Sequence, residues 1–173
     1  MRTWGTLPAE RRADYPCDAL LPRPDDILFR GVTVEAEPAV VFRWLCQLKV
    51  APYSYDWIDN RGRRSPRELT AGAEHLAAGQ PVMTIFTLAG FEAERHLTLM
   101  LTDAGAVRWF GDIAVTYSVT PSAAARSRLV VKLLIRHAKR WPGTWIRPFL
   151  PAGDLLMMRK QLLTLKRLAE GGR

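Results

Sequence analysis

Apolar and polar positions alternate from residue 32 onward, with Val32, Val34 and Ala36 against Thr33, Glu35 and Glu37. That is the period-2 pattern of a strand with one buried face. Pro38 suits the first position of a helix, where its missing N–H costs nothing, and Val41, Phe42, Leu45 and Leu48 recur at helical spacing behind it. Sheet signals dominate the middle of the chain. Residues 82–88 place Val82, Thr84, Phe86 and Leu88 on one face before a turn at Ala89-Gly90, and 95–101 alternate through Leu97, Leu99 and Leu101. The longest predicted strand covers 107–120, with Val107, Trp109, Gly111, Ile113, Val115, Tyr117 and Val119 inward and a bend or bulge expected at Gly111. Leu129, Val131, Leu133, Ile135 and His137 share the inward face of the next strand, while Lys132 and Arg136 are expected to face solvent.

The last segment is the clearest helix. Asp154 is a candidate N-cap, Leu155, Met158, Leu162, Leu165 and Ala169 form an apolar stripe, and Gly171-Gly172 ends it. Residues 1–28, interrupted by Pro8, Pro16, Pro22 and Pro24, read as an extension. Trp4, Leu7, Leu20 and Leu21 are apolar enough to hold it against the surface of a single domain spanning 29–173.

The order strand, Ala-Glu-Pro, Val-Phe-x-x-Leu, then Tyr53-Ser54-Tyr55-Asp56 resembles the opening of the SRPBCC or START-like superfamily, the polyketide cyclase and Bet v 1-like proteins. Ser127-Arg128-Leu129-Val130-Val131 after a turn, and Met157-Met158-Arg159 leading to Leu162 and Leu165, extend the resemblance over about residues 29–170. It implies an α+β helix-grip fold, a curved antiparallel sheet wrapped around the long C-terminal helix. It also implies a cavity for a small hydrophobic or aromatic ligand. Some relatives are aromatases or cyclases acting on a poly-β-ketone chain, so whether this chain is an enzyme stays open.

Composition narrows the class further. At 173 residues the chain is long enough to bury a core, and its 48% hydrophobic and 24% charged content is ordinary for a globular domain. No apolar run suits a signal peptide or a bilayer span, which leads us to expect a soluble, cytoplasmic protein. Two cysteines cannot make a disulfide framework, and Cys46, among Trp44, Leu45 and Leu48, reads as a buried thiol. The net charge of +8 is concentrated: residues 126–173 carry 12 Lys/Arg against Asp154 and Glu170, whereas residues 1–125 carry 13 against 15 acids. A basic end suits a peripheral contact with an anionic membrane, for which Lys139, Arg140, Arg147, Arg159 and Lys160 beside Trp141 or Trp145 are the candidates. A solvated surface is the simpler reading. Nucleic acid is disfavoured, because Pro142 and Pro148 break any regular element there.

The motifs exclude more chemistry than they propose. His75, His96 and His137 lack metal-site spacing, and there is no phosphate loop, nucleophile elbow or dinucleotide fingerprint, so neither metal nor cofactor is expected. What remains is binding, or acid–base work inside a cavity. Tyr55, Trp109, Tyr117, His137 and Met158 are the candidate ligand contacts. Tyr117, His137 and Asp56 are the candidate proton-transfer groups, His137 because an imidazole titrates near neutral pH. Arg95, sharing parity with Leu97 and Leu99, is a candidate inward cation, though snorkelling to water is the commoner fate of a strand-end arginine.

Overall fold

A computed structural model describes residues 2–54, 64–139 and 147–171. Within them the chain forms β1 (Thr3–Trp4), α1 (Cys17–Leu20), β2 (Asp26–Val34), α2 (Pro38–Cys46) with a 3-10 turn at Gln47–Lys49, β3 (Pro81–Val82), β4 (Phe86–Glu92), β5 (His96–Leu101), α3 (Ala104–Phe110), β6 (Asp112–Ala123), β7 (Arg126–Arg136) and, after a 3-10 turn at Arg147–Phe149, α4 (Leu150–Gly171). The described strands make one sheet in the order β1-β2-β7-β6-β5-β4-β3. Every pair is antiparallel except β1–β2. The α4 helix lies along β2 and α2, burying Met158, Gln161, Leu162, Leu165 and Ala169. This is the expected helix-grip arrangement.

The inward parity predicted for the long strands holds from residue 113 on. Val115, Tyr117 and Val119 of β6 and Leu129, Val131, Leu133 and Ile135 of β7 share one core with α2 and α4. Their opposite faces are buried too, which alternation alone does not explain. Ala114 and Thr116 of β6, and Val130, Lys132 and Leu134 of β7, lie under the N-terminal segment, where Tyr15, Cys17 and Leu21 build a second cluster with Phe29 of β2. The Cys17 amide donates to Thr116 Oγ1 at 3.0 Å, and Thr116 pairs with Thr98 at 3.0 Å. Lys132 does not reach solvent as expected: its ammonium sits 2.7 Å from Asp18 and over the rings of Tyr15 and Phe29. Arg128 forms a bidentate pair with Glu10, at 2.7 and 2.9 Å. Part of the basic third of the chain is thus complementary to acids of the N-terminal segment, and a buried cation with a carboxylate and two ring faces needs no external partner.

Three expected elements change. The 107–120 strand begins only at Asp112, because residues 104–110 are helical. Asp103 Oδ1 accepts the Ala106 amide at 2.7 Å as the N-cap, and Gly111 ends the helix at φ 82° with its N–H on the Val107 carbonyl. Gly111 is therefore a helix stop and not a bulge. A Cβ there would collide with the Arg136 carbonyl and come within 2.6 Å of the Ala138 nitrogen. The 82–88 strand is a tight hairpin, β3 and β4 joined through Met83 and Thr84, both at positive φ. Ala89-Gly90 is an irregularity inside β4, and the true turn follows at residues 93–95. That turn holds Arg95 out in solvent against Glu92 at 2.7 Å, so it is not an inward cation. Finally, α4 starts at Leu150, which puts Asp154 one turn inside the helix, turned inward and away from the cap position.

Candidate functional site

One face of the sheet and the first three turns of α4 border a half-open cavity of about 420 Å³. Its walls are apolar: Ile113, Val115, Leu133 and Ile135 from β6 and β7, Leu150, Met157 and Met158 from α4, and Met83, Ile85, Phe86 and Phe110 around the hairpin and the end of α3. Alternation along the strands presents every second residue to this space, and the helical repeat presents positions 150, 154, 157, 158 and 161 to it.

Polar groups converge at one wall. Tyr117, fully buried on β6, donates its hydroxyl to Gln161 Oε1 at 2.8 Å, with Met158 Sδ 3.9 Å away. Gln161 Nε2 donates to the Pro52 carbonyl at 2.7 Å and lies 3.4 Å from Met83 Sδ. Ser54 Oγ donates to the Met157 carbonyl at 3.3 Å. Asp154 also lines the cavity, and its Oδ2 lies 2.6 Å from a guanidinium nitrogen of Arg30, whose side chain is 0% exposed. Arg30 is further held by the carbonyls of Arg2 and Phe29, each at 2.9 Å, and of Pro151 at 3.4 Å. Burial drives the Asp154 carboxyl up to about 6 from 3.8, and the Arg30 charge beside it opposes that rise without cancelling it. Burial, aided by the Asp154 charge, pushes the Tyr117 phenol well above the ordinary range for tyrosine, so it stays a neutral donor.

Of the residues singled out from the sequence, Tyr117 and Met158 line this cavity together. Trp109 does not: on α3 it is 48% exposed, and its neighbour Phe110 takes the place at the cavity. His137 is buried but stands elsewhere, past the end of β7, with Nε2 2.7 Å from Asp26 Oδ2 and its amide on Asp25. Asp26 also pairs with Arg2. Tyr55 and Asp56 lie outside the described residues, as do Arg140, Trp141 and Trp145. Arg30, Asp154 and Gln161 were missed. Two signals were present: Arg30 has the inward parity of Val32 and Val34, and Asp154 and Gln161 fall on the same helical stripe as Met158. No group of three or more His, Cys, Asp or Glu residues that could hold a metal exists among the described residues.

A largely antiparallel sheet closed by a long C-terminal helix over an apolar cavity makes this an α+β helix-grip fold. No family model matches the sequence, and no curated protein matches it. Solved structures do. The Zhui aromatase/cyclase from Streptomyces sp. R1128 superposes with a TM-score of 0.51 at 15% identity, over 83% of this chain and 93% of that one. Protein MLL2253 from Mesorhizobium loti gives 0.51 at 13% identity, over 85% and 98%. Protein CV1439 from Chromobacterium violaceum gives 0.50 at 16%, over 83% and 96%. At such identities the likeness is one of fold. Among the described residues no helix is long and apolar enough to cross a membrane.

Proposed function

We propose that this chain binds a small apolar or aromatic molecule, lipid-like or polyketide-like, in the space between the sheet and α4. The observation that carries the reading is the cavity itself: about 420 Å³, apolar on most sides, with Tyr117, Asp154 and Gln161 gathered at one wall. A volume of that order with few convergent polar groups is the usual form of a small-molecule site. A packed core would have filled it, since each unfilled volume forfeits dispersion contacts. Cys17 and Cys46 are both buried free thiols, which accords with a reducing, cytoplasmic setting.

The test is a fluorescence titration with the apolar probe N-phenyl-1-naphthylamine. Wild-type protein is expected to bind it saturably with one site. Leu133→Trp, which puts an indole into the cavity, is expected to abolish binding while keeping a cooperative melt. Equal binding by both proteins would refute the assignment of the cavity.

One observation favours a second reading, acid–base catalysis of the aromatase or cyclase kind. Asp154, with its carboxyl shifted toward neutrality, shares the cavity with the Tyr117 phenol. Of the candidate proton-transfer groups, Tyr117 and His137 do not share the cavity, because His137 belongs to the Asp26 cluster, and Asp56 lies outside the described residues. Turnover of a poly-β-ketone mimic that is lost in Asp154→Asn would establish this reading. Absence of turnover in wild type would leave binding alone.

A further inference from the structure

This inference rests on the binding reading above and concerns the chemistry of the ligand's polar end. We propose that the ligand donates hydrogen bonds to the cavity, as a phenol or an alcohol does, and is not a carboxylate, a ketone or an ether.

The protons that the cavity's side chains carry are already spent within the protein. Tyr117 has one hydroxyl proton, and Gln161 Oε1 takes it at 2.8 Å. The orientation of the Gln161 amide is set by its surroundings: Nε2 faces the Pro52 carbonyl at 2.7 Å and the Met83 thioether at 3.4 Å, both acceptors. Turning the amide over would lay oxygen on oxygen. Both amide protons are therefore used within the protein. The single proton of Ser54 goes to the Met157 carbonyl at 3.3 Å. Arg30 is withdrawn behind Asp154, fully buried, and is not part of the cavity lining. Among the described side chains that line the cavity, the remaining hydroxyl is that of Thr84, which stands at the exposed rim.

Acceptors are left over in the same place. Asp154 pairs with Arg30 through Oδ2, and its carboxylate lines the cavity as an acceptor-only group. The phenol oxygen of Tyr117 and the carbonyl oxygen of Gln161 each keep lone-pair capacity. A ligand hydroxyl meets these oxygens with a proton. A ligand carbonyl or ether meets them with lone pairs and strips their water without replacing it, and a carboxylate adds like-charge repulsion with Asp154. An unmet buried acceptor, above all an ionised one, costs far more than a neutral contact. A site built around one hydrogen-bonding sense rejects analogues of the opposite sense more sharply than it rejects changes of size. The expected preference for the donor is about 10- to 100-fold.

The experiment uses one skeleton with its polar end varied. The full chain at pH 7.5, where Asp154 is ionised, is loaded with N-phenyl-1-naphthylamine and titrated with 2-naphthol, 2-methoxynaphthalene, naphthalene and 2-naphthoate. The expected result is that 2-naphthol displaces the probe at least 10-fold more tightly than its methyl ether, and that 2-naphthoate is weakest. In Asp154→Asn, whose amide can donate, the gap between naphthol and ether is expected to close. Should that variant fail to fold, the wild-type series decides by itself. If the ether or the naphthoate binds as tightly as the naphthol, the inference is overturned while cavity binding stands. If the probe binds and no naphthalene displaces it, the cavity reading falls and the inference with it.

Discussion

Replacing Arg30 by methionine would remove the cation that faces Asp154 while keeping most of the side-chain volume. Its cost can be worked from the geometry. In the native chain burial holds the Asp154 carboxyl at about 6 against its ordinary 3.8, which already costs about 3 kcal/mol when the carboxylate is ionised. Without Arg30 the carboxyl would take up a proton in the folded state. At pH 7 that holds the penalty to about 4 kcal/mol, so the electrostatic increment is only about 1 kcal/mol. The guanidinium also loses its two 2.9 Å bonds to the carbonyls of Arg2 and Phe29 and the 3.4 Å one to Pro151, each worth about 1 kcal/mol net, while the Arg2 carbonyl keeps the Phe29 amide at 2.8 Å. The sum is about 3–5 kcal/mol, the usual cost of breaking a buried ion pair from one side. Denaturant titration at pH 7 and pH 5 separates the parts. The folded Asp154 holds its proton up to about pH 6 and the unfolded one only to 3.8, so its burden on stability grows as pH rises from 3.8 to about 6. By pH 5 the carboxyl is mostly protonated in both folded proteins. The electrostatic increment should then largely vanish, and the hydrogen-bond part should remain. The double variant Arg30→Met/Asp154→Leu should recover much of the loss at pH 7. A loss below about 1 kcal/mol at pH 7, or one that grows on going to pH 5, would refute the account.

Other outcomes follow from single contacts. Gly111→Ala is expected to cost more than about 3 kcal/mol in a denaturant titration, because φ is 82° and the new methyl meets the backbone of residues 136–138; a cost near that of an ordinary surface change would contradict the helix stop. Tyr117→Phe should destabilise by about 1–3 kcal/mol by stranding Gln161 Oε1, and the companion Tyr117→Phe/Gln161→Leu should restore part of it; additive losses in that cycle would deny the 2.8 Å bond. Burial raises the Tyr15 phenol to about 12 and that of Tyr117 still further, so ultraviolet titration of the folded chain should leave both silent through pH 10.5. Ionisation of all four tyrosines near 10 before unfolding would count against both sites. Flotation with neutral and anionic vesicles should show no difference, since Arg128, Lys132 and Lys166 are occupied by Glu10, Asp18 and Glu170; salt-sensitive recruitment to anionic vesicles alone would give the exposed Lys139, Arg147, Arg159 and Lys160 a partner.

Local pattern was enough for the order of strands and helices, and the family resemblance turned that order into a helix-grip fold. The alternation of β2, β6 and β7 and the stripe of α4 each bury one face, and a single helix can bury that stripe most fully in the concavity of the sheet. Tyr117 and Met158 were legible as inward-facing residues for the same reason: parity and helical phase state which way a side chain points. The tertiary structure decided what periodicity does not encode. In residues 104–110 an apolar run served a strand or a helix equally well, and the cap at Asp103 with the backbone collision awaiting any side chain at Gly111 made it a helix, turning Trp109 out and Phe110 in. Arg30 and Asp154 are 124 positions apart, and only the packing of α4 on β2 makes one the reason the other can be buried. His137 followed its parity inward and still missed the cavity, because Asp25 and Asp26 hold it at the far end of β7. A charge or a polar group is assigned its role by whatever stands opposite it, and what stands opposite is a property of the folded chain.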